Sequence, residues 1–200
     1  MNNKIFTLLS IAILLCSCNY ASKGQQVNNH KDAMDLISEA YENNNWDLVI
    51  SIGDTLIGDD DPKNISIIYA EALASKGNIE KAIHVLDNKI AIKPDDYYLL
   101  QTKGNVYYVA EKYDSAIVCY DKVIDMRPTY ARPYVYEGEI YAELGEKQKA
   151  VARYLEAIEL FAAYNLIDET IFFSNRVLEL DSTNVDAKRY IEQVQASQEQ

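Results

Sequence analysis

The sequence predicts an all-α fold in which antiparallel helix pairs stack into a solenoid. Small residues recur 34 residues apart, in the series Ala82, Ala116 and Ala150 and again in the pair Gly104 and Gly138. A fixed period of this length is typical of helical-hairpin arrays, in which each hairpin buries its apolar face against its neighbours. Between these positions the apolar residues follow the three- and four-residue spacing of helices.

Residues 97–130 form the most complete unit. Gly104 and Ala116 are small enough to let two helix backbones approach closely, while tyrosines fill the seam beside them. The unit resembles the tetratricopeptide repeat (TPR) at Gly104, Tyr107, Ala116, Tyr120 and Pro128, and the next unit resembles it at Gly138, Tyr141, Ala150 and Tyr154. This resemblance implies a TPR-type α-solenoid with two helices and a tight turn in each unit.

The period divides the chain into successive units. We predict a degenerate TPR-like unit, three TPR units, and a degenerate helical unit with a C-terminal capping helix, at residues 30–62, 63–96, 97–130, 131–164 and 165–200. In the first unit Gly53 stands where later units carry a large residue. A terminal unit with one exposed side is expected to depart from the repeat pattern in this way.

The repeat register slips after Tyr164. A helix is predicted over residues 168–180, but no first helix precedes it at the usual distance, so we expect the helix over 148–163 to serve in two hairpins. Thr183 and Asp186 resemble a capping box at the start of a last helix. This last helix is polar, and we interpret it as a solvating cap.

The N-terminus carries the features of a lipoprotein signal peptide. Lys4 precedes an apolar run at residues 5–15, which is too short to span a membrane stably and fits a secretory signal. The run ends in Leu-Cys-Ser-Cys at residues 15–18, which resembles the lipobox of bacterial lipoproteins. The resemblance implies cleavage of a signal peptide at 1–17 and attachment of lipid, including palmitate, to Cys18. The alternative is an ordinary cleaved signal peptide with Cys18 incidental.

The lipid would determine where the protein resides. Several acyl chains hold a protein persistently at a membrane, whereas one chain binds only marginally. Residues 18–29 are polar and lack periodicity, which predicts a flexible tether. We therefore expect a lipid-anchored protein of the bacterial cell envelope, with the outer membrane favoured and the periplasmic or surface face left open. Cys119 would then be alone in the repeats, and we interpret it as a small buried residue.

The charge and the residue types argue against several function classes. The formal net charge of -12 repels phosphate backbones, so no nucleic acid is expected as a partner. His30 and His84 are the only histidines, and neither has neighbours at metal-ligand spacing. Asp59 to Asp61 lack the ligand spacing of a calcium loop, so we interpret them as a solvated turn. Phosphate-binding loops and nucleophile motifs are absent, and we predict a non-enzyme without cofactor or metal.

The TPR resemblance implies that the first helices of successive units line a concave groove. The predicted partner-binding residues are Tyr98, Gln101, Asn105 and Tyr108 in one unit and Arg132, Tyr136 and Glu139 in the next. Some TPR proteins use asparagine at the position of Asn105 to grip the backbone of an extended peptide. The basic positions of chaperone-binding members are filled here by uncharged residues except at Arg132, so an acidic C-terminus is not the expected ligand.

The sequence therefore favours a scaffold or adaptor that docks a protein or peptide partner in this groove. The alternative is a surface lipoprotein that captures a glycan or peptide for an uptake system. Tyr98, Tyr108 and Tyr136 do not choose between these functions, because a ring with a polar tip suits each of these ligands.

Lys103 and Glu137 depart from the repeat pattern. Both occupy a position where the TPR pattern has leucine, in adjacent units. A lone buried charge is costly. We therefore expect these two residues to lie close together across parallel first helices and to pair.

Overall fold

A computed structural model describes residues 30–57 and 63–198. All regular structure in these residues is helical, and its helices are α1 (His30–Glu42), α2 (Trp46–Leu56), α3 (Lys63–Ser75), α4 (Ile79–Ile92), α5 (Tyr97–Val109), α6 (Tyr113–Met126), α7 (Ala131–Glu143), α8 (Lys147–Ala163), α9 (Ile167–Leu180) and α10 (Val185–Gln198). Each helix packs against the next one along the chain. The prediction of an all-α solenoid of antiparallel helix pairs is confirmed. The predicted signal peptide, Cys18, the tether and the turn at Asp59–Asp61 lie outside the described residues.

The hairpin turns share a residue with a left-handed backbone. Gly77 and Gly145 have φ of 80° and 75°, and Glu111 occupies the same place with φ of 57°. The residue after each of these donates its backbone N–H to the first helix of the pair, as Lys112 does to the Tyr107 carbonyl at 2.9 Å. This closure satisfies a carbonyl group that the end of the helix would otherwise leave unpaired.

The recurring glycine and tyrosine residues have a direct packing relation. Tyr120 in α6 is fully buried and lies so close to Gly104 in α5 that a Cβ at residue 104 would be 2.5 Å from Cε1 of the ring. Tyr154 in α8 and Gly138 in α7 repeat this arrangement, with a corresponding distance of 2.6 Å. Each ring therefore fits only because the facing helix has no side chain at that position.

A related glycine–tyrosine contact joins the first two units, with the residue types reversed between first and second helices. Gly53 lies in the second helix, α2, and the ring that fills the space belongs to Tyr69 of α3, since a Cβ on Gly53 would be 2.2 Å from Tyr69 Cδ2. Tyr69 is almost fully buried, and its hydroxyl donates a hydrogen bond to Asp54. The contact thus keeps one small and one large residue, but the helices that carry them are exchanged.

Helix α8 takes part in two hairpins, which confirms the expectation drawn from the slipped register. It packs against α7 as the second helix of one pair and against α9 as the first helix of the next. Asn165 has φ of 56°, and Leu166 donates its backbone N–H to the Phe161 carbonyl at 2.9 Å, as at the other hairpin turns. Thr170 and Ser174 in α9 are fully buried. Thr170 takes the repeat position of the alanine in the earlier second helices, and Ser174 takes the position of their large residue.

The last helix, α10, presents a polar surface at the end of the described array. Asn184 caps it, because Asn184 Oδ1 accepts a backbone N–H of the first turn at 3.0 Å. The predicted capping box is wrong, since the Thr183 hydroxyl donates to Asp181 instead. Lys188, Glu192 and Gln195 are exposed, and their spacing of four and three residues places them on one side of α10. This polar side supports the interpretation of α10 as a solvating cap.

Lys103 and Glu137 do not pair with each other, so that expectation is wrong. The Lys103 ammonium lies 2.5 Å from the carboxylate of Asp87 in α4. Glu137 Oε2 lies 2.7 Å from Nε of Arg153 in α8. Both residues occupy the same repeat position, and the contacts show that this position meets the second helices and not the neighbouring first helix.

A row of aspartates on the second helices receives these contacts. The members of the row are Asp54, Asp87 and Asp121. Tyr69 donates a hydrogen bond to the first, and Lys103 pairs with the second. Near the third, Arg153 reaches two carboxylates, at 2.7 Å from Glu137 and 3.8 Å from Asp121. At the last aspartate of the row, one guanidinium group, that of Arg153, therefore lies near two carboxyl groups.

Cys119 is a buried free thiol in α6. Burial raises the pKa of this thiol, because a thiolate would lose its hydration. The thiol therefore stays protonated and packs as a small apolar residue, as the sequence predicted.

Candidate partner-binding face

The predicted groove residues lie on two first helices, α5 and α7. Those on α5 are Tyr98, Gln101, Asn105 and Tyr108, and those on α7 are Arg132, Tyr136 and Glu139. Residues spaced by three or four positions share one side of a helix. Tyr98 and Arg132 are exposed, Gln101 is buried, and the remaining four are half-buried. We refer to these seven residues as the α5–α7 face.

A cluster of three tyrosine rings lies at the N-terminal end of α5. The ring centroids of Tyr97 and Tyr98 are 4.1 Å apart, and Tyr130 lies 5.5 Å from Tyr97 and 6.5 Å from Tyr98. The Arg127 guanidinium lies 4.9 Å from the Tyr97 centroid, within the range of a cation–π contact. Tyr98 remains 43% exposed. This tyrosine trio, Tyr97, Tyr98 and Tyr130, therefore offers an aromatic surface to solvent.

The orientation of the Asn105 amide is set from inside the fold. The Tyr120 hydroxyl donates a hydrogen bond of 2.9 Å to Asn105 Oδ1. The Tyr120 ring stacks on Tyr136, with centroids 5.2 Å apart and an interplanar angle of 20°. Burial raises the pKa of Tyr120, so its hydroxyl stays protonated and remains a donor. The Asn105 amide is therefore oriented with its oxygen toward Tyr120, and both of its N–H groups are available for a partner.

The carboxylates around this face already interact with donors of the protein. Glu143, at the end of α7, accepts hydrogen bonds from the hydroxyls of Tyr113 and of Tyr108, the latter at 2.5 Å. These two donors lower the pKa of Glu143, which therefore stays ionised. Glu139 lies 3.4 Å from the Arg176 guanidinium of α9. Contacts within the fold thus use part of the acceptor capacity of these acids.

The sequence does not indicate the contributions of Tyr120 and Arg176 to this face. The repeat pattern explains why a large ring packs at Tyr120, but it does not indicate which residue the Tyr120 hydroxyl contacts. One indication was present in the sequence. Asn105 is polar and directly follows Gly104, the residue against which the Tyr120 ring packs, so Asn105 lies within reach of the Tyr120 hydroxyl. No comparable signal exists for Arg176, since it lies beyond the point where the repeat register slips.

The described residues contain no assembly of metal ligands. Within residues 30–57 and 63–198, no three histidine, cysteine or carboxylate side chains come together to hold an ion. His84 is exposed in α4 and lies 3.2 Å from the Asn88 amide. In the same two ranges, no helix combines the length and the apolar character that crossing a bilayer requires.

The central repeats match known family models. A model described as TPR repeat matches residues 104–145, and one described as tetratricopeptide repeat matches residues 131–164.

Several solved structures share the fold. TTC0263, a thermophilic TPR protein in Thermus thermophilus, is 16% identical over 84% of this chain and 100% of that chain, with a TM-score of 0.57. A MamA protein is 17% identical over 84% of this chain and 91% of that chain, with a TM-score of 0.58. A double mutant of MamA from RS-1 is 18% identical over 84% and 95%, with a TM-score of 0.61.

Proposed function

This chain carries tetratricopeptide repeats in an all-α solenoid, and from that premise we propose that it is a scaffold or adaptor that binds a protein or peptide partner on the α5–α7 face. The observation that carries the proposal is the amide of Asn105, whose oxygen is engaged by Tyr120. The free amide donors suit the backbone carbonyls of an extended peptide. The exposed ring of Tyr98 adds the kind of aromatic contact that is enriched at binding interfaces.

We further propose that lipid on Cys18 attaches this scaffold to a bacterial envelope membrane, with the outer membrane favoured. The Leu-Cys-Ser-Cys motif behind a short apolar run supports the proposal. Residues 18–29 separate the lipid from α1. A flexible chain of this length has an end-to-end distance of roughly 20 Å. The anchor would therefore keep the repeats close to the membrane surface without inserting them.

The binding proposal is tested by partner capture from envelope extracts. The wild-type chain is compared with a double variant that carries Tyr98→Ala and Asn105→Ala. The captured protein, once purified, is expected to bind the double variant at least about tenfold more weakly, because both substitutions remove groups that contact the partner. Tyr164→Ala is the matched control, because this tyrosine is 61% exposed and lies outside the face.

Thermal unfolding of the variants checks that each of them folds, since Asn105 also accepts a hydrogen bond from Tyr120. Retention of every partner by the double variant would reject the α5–α7 face as the binding site. A glycan that binds the wild type on an array, and not the double variant, would assign the face to ligand capture instead.

The anchor is tested by metabolic labelling with palmitate. Cys18→Ser is expected to abolish incorporation of the label, because the lipid is proposed to be attached through that cysteine. Cys16→Ser is the matched control and should retain the label, since this residue leaves with the signal peptide. Undiminished labelling of the Cys18→Ser chain would show that Cys18 is not the lipidated residue.

A further inference from the structure

We propose that the α5–α7 face binds a proline-rich segment of its partner in the polyproline II conformation. The proposal rests on the function proposed above, because it names the class of peptide that the face selects. A polyproline II segment exposes pyrrolidine rings and solvated carbonyl groups, and its prolines have no backbone N–H. The tyrosine rings of the face suit the pyrrolidine rings, and its hydrogen-bond donors suit the carbonyl groups. Its limited acceptor capacity suits a ligand with few backbone N–H groups.

The tyrosine trio provides the surface for a pyrrolidine ring. Proline-rich segments dock into aromatic-lined grooves in several peptide-recognition domains. Here Tyr98 is 43% exposed, and its ring centroid lies 4.1 Å from that of Tyr97 and 6.5 Å from that of Tyr130. A ring held by two neighbours loses little conformational freedom on binding, which favours the contact.

The face offers hydrogen-bond donors to the carbonyl groups of such a ligand. Tyr120 occupies Asn105 Oδ1 at 2.9 Å, which leaves the two amide N–H groups of Asn105. Arg132, exposed in the first turn of α7, adds guanidinium N–H groups and has no acceptor. Both side chains therefore suit a ligand that brings carbonyl oxygens.

Contacts within the fold use part of the acceptor capacity on and beside the face. Glu143 accepts from two tyrosine hydroxyls, and Glu139 lies against Arg176. Gln101 Oε1 has no hydrogen-bond partner among the described residues, but it is buried from solvent. An ordinary extended peptide would bring backbone N–H groups that need acceptors, and leaving such groups unpaired is costly. A proline-rich segment brings few of these groups, so the supply of donors and acceptors favours it.

The spacing along α5 also fits. Tyr98 and Asn105 lie in one continuous helix, seven residues apart. That separation corresponds to about 10 Å along the axis of an α-helix. One turn of polyproline II has three residues and spans about 9 Å. A segment lying along α5 can therefore place one ring on the tyrosine trio and, one turn away, a carbonyl group at Asn105.

Titration of the full chain with a capped decaproline peptide tests the proposal. We expect saturable binding that shifts the side-chain amide resonances of Asn105 in NMR spectra. Tyr98→Ala should weaken the binding at least about tenfold, as is typical when an aromatic anchor is truncated. Tyr164→Ala, at an exposed tyrosine outside the face, should leave the affinity unchanged. A capped glycine–serine peptide of equal length should not bind.

Tyr120→Phe tests the donor argument separately. This substitution keeps the buried ring and removes the hydroxyl that orients Asn105. Weaker decaproline binding, together with altered Asn105 amide resonances in the free protein, is expected. An affinity equal to that of the wild type would overturn the assignment of Asn105 as the oriented donor.

Absence of decaproline binding, or binding that Tyr98→Ala leaves intact, would overturn the proline-rich ligand. A random peptide library distinguishes this outcome from failure of the proposed function. Proline-free peptides that bind the wild type and are lost from Tyr98→Ala would retain the face as a peptide site and reject the polyproline II ligand. If no peptide in the library binds through this face, both proposals fail.

Discussion

Tyr120→Ala is expected to lower the free energy of unfolding by about 3–5 kcal/mol, the range for truncating a buried aromatic side chain. The Tyr120 ring is fully buried, stacks on Tyr136 and fills the space that Gly104 leaves in α5. Alanine would leave a cavity between α5 and α6, because a packed interior relaxes only in part. Urea unfolding followed by circular dichroism measures the loss.

Tyr120→Phe is the control that separates the ring from its hydroxyl. It keeps the packing and removes the hydrogen bond to Asn105, so we expect a loss of only about 1 kcal/mol. If Tyr120→Phe destabilised the protein as much as Tyr120→Ala does, packing against Gly104 would not be the main contribution of this residue.

Gly104→Ala examines the same contact from the opposite helix. In the wild-type chain the added Cβ would lie 2.5 Å from Tyr120 Cε1, so we expect destabilisation of about 1–3 kcal/mol. In the Tyr120→Ala background this clash is absent, and the higher helix propensity of alanine should stabilise the protein by up to about 1 kcal/mol. An equal effect in both backgrounds would show that the two positions are not coupled.

The stability of the protein is expected to fall as the pH rises from about 5 to about 8, and Glu137→Gln should remove much of this fall. The pKa of Glu137 is raised from 4.5 to about 8, mainly by burial; Arg153 lowers it, and the neighbouring Asp121 and Glu156 add to the increase. The folded protein therefore holds this proton more tightly than the unfolded chain does. The stabilisation from protonated Glu137 is complete below the pKa that Glu137 has in the unfolded chain. This stabilisation is lost as the pH rises through the pKa that Glu137 has in the folded protein.

The size of this effect follows from the same pKa difference. Between the two pKa values the free energy of unfolding declines by about 1.4 kcal/mol for each pH unit, so the total amounts to a few kcal/mol. Thermal unfolding of the wild type and of Glu137→Gln across this range measures it. Glu179→Gln is the matched control, because that side chain is 60% exposed and should follow the wild type. A Glu137→Gln protein with undiminished pH dependence would contradict the assignment.

The repeat pattern is informative about contacts within one hairpin. Gly104 and Tyr120 face each other because both follow from the register of two helices joined by a short turn, and this register is visible in the sequence. The shared use of α8 was also predictable, since a repeat that continues without its own first helix must take that helix from the preceding pair. Local spacing decides such contacts, and the sequence displays local spacing directly.

Contacts between hairpins were not predictable in the same way. Lys103 and Glu137 hold the same repeat position, yet Lys103 reaches Asp87 in α4 and Glu137 meets Arg153 in α8. The period specifies which side of a helix a residue occupies. The partner on that side depends on the rotation of one hairpin relative to the next and on the reach of each side chain.

The sequence by itself determined the all-α solenoid, and helical spacing placed Tyr98 and Asn105 on one side of α5. Only the tertiary structure decided that Asn105 offers donors, because the Tyr120 hydroxyl that occupies its oxygen belongs to another helix. It likewise decided that Arg176 of α9 reaches Glu139. Helical periodicity reflects residues a few positions apart, whereas the direction of a hydrogen bond depends on atoms that folding brings together from distant positions.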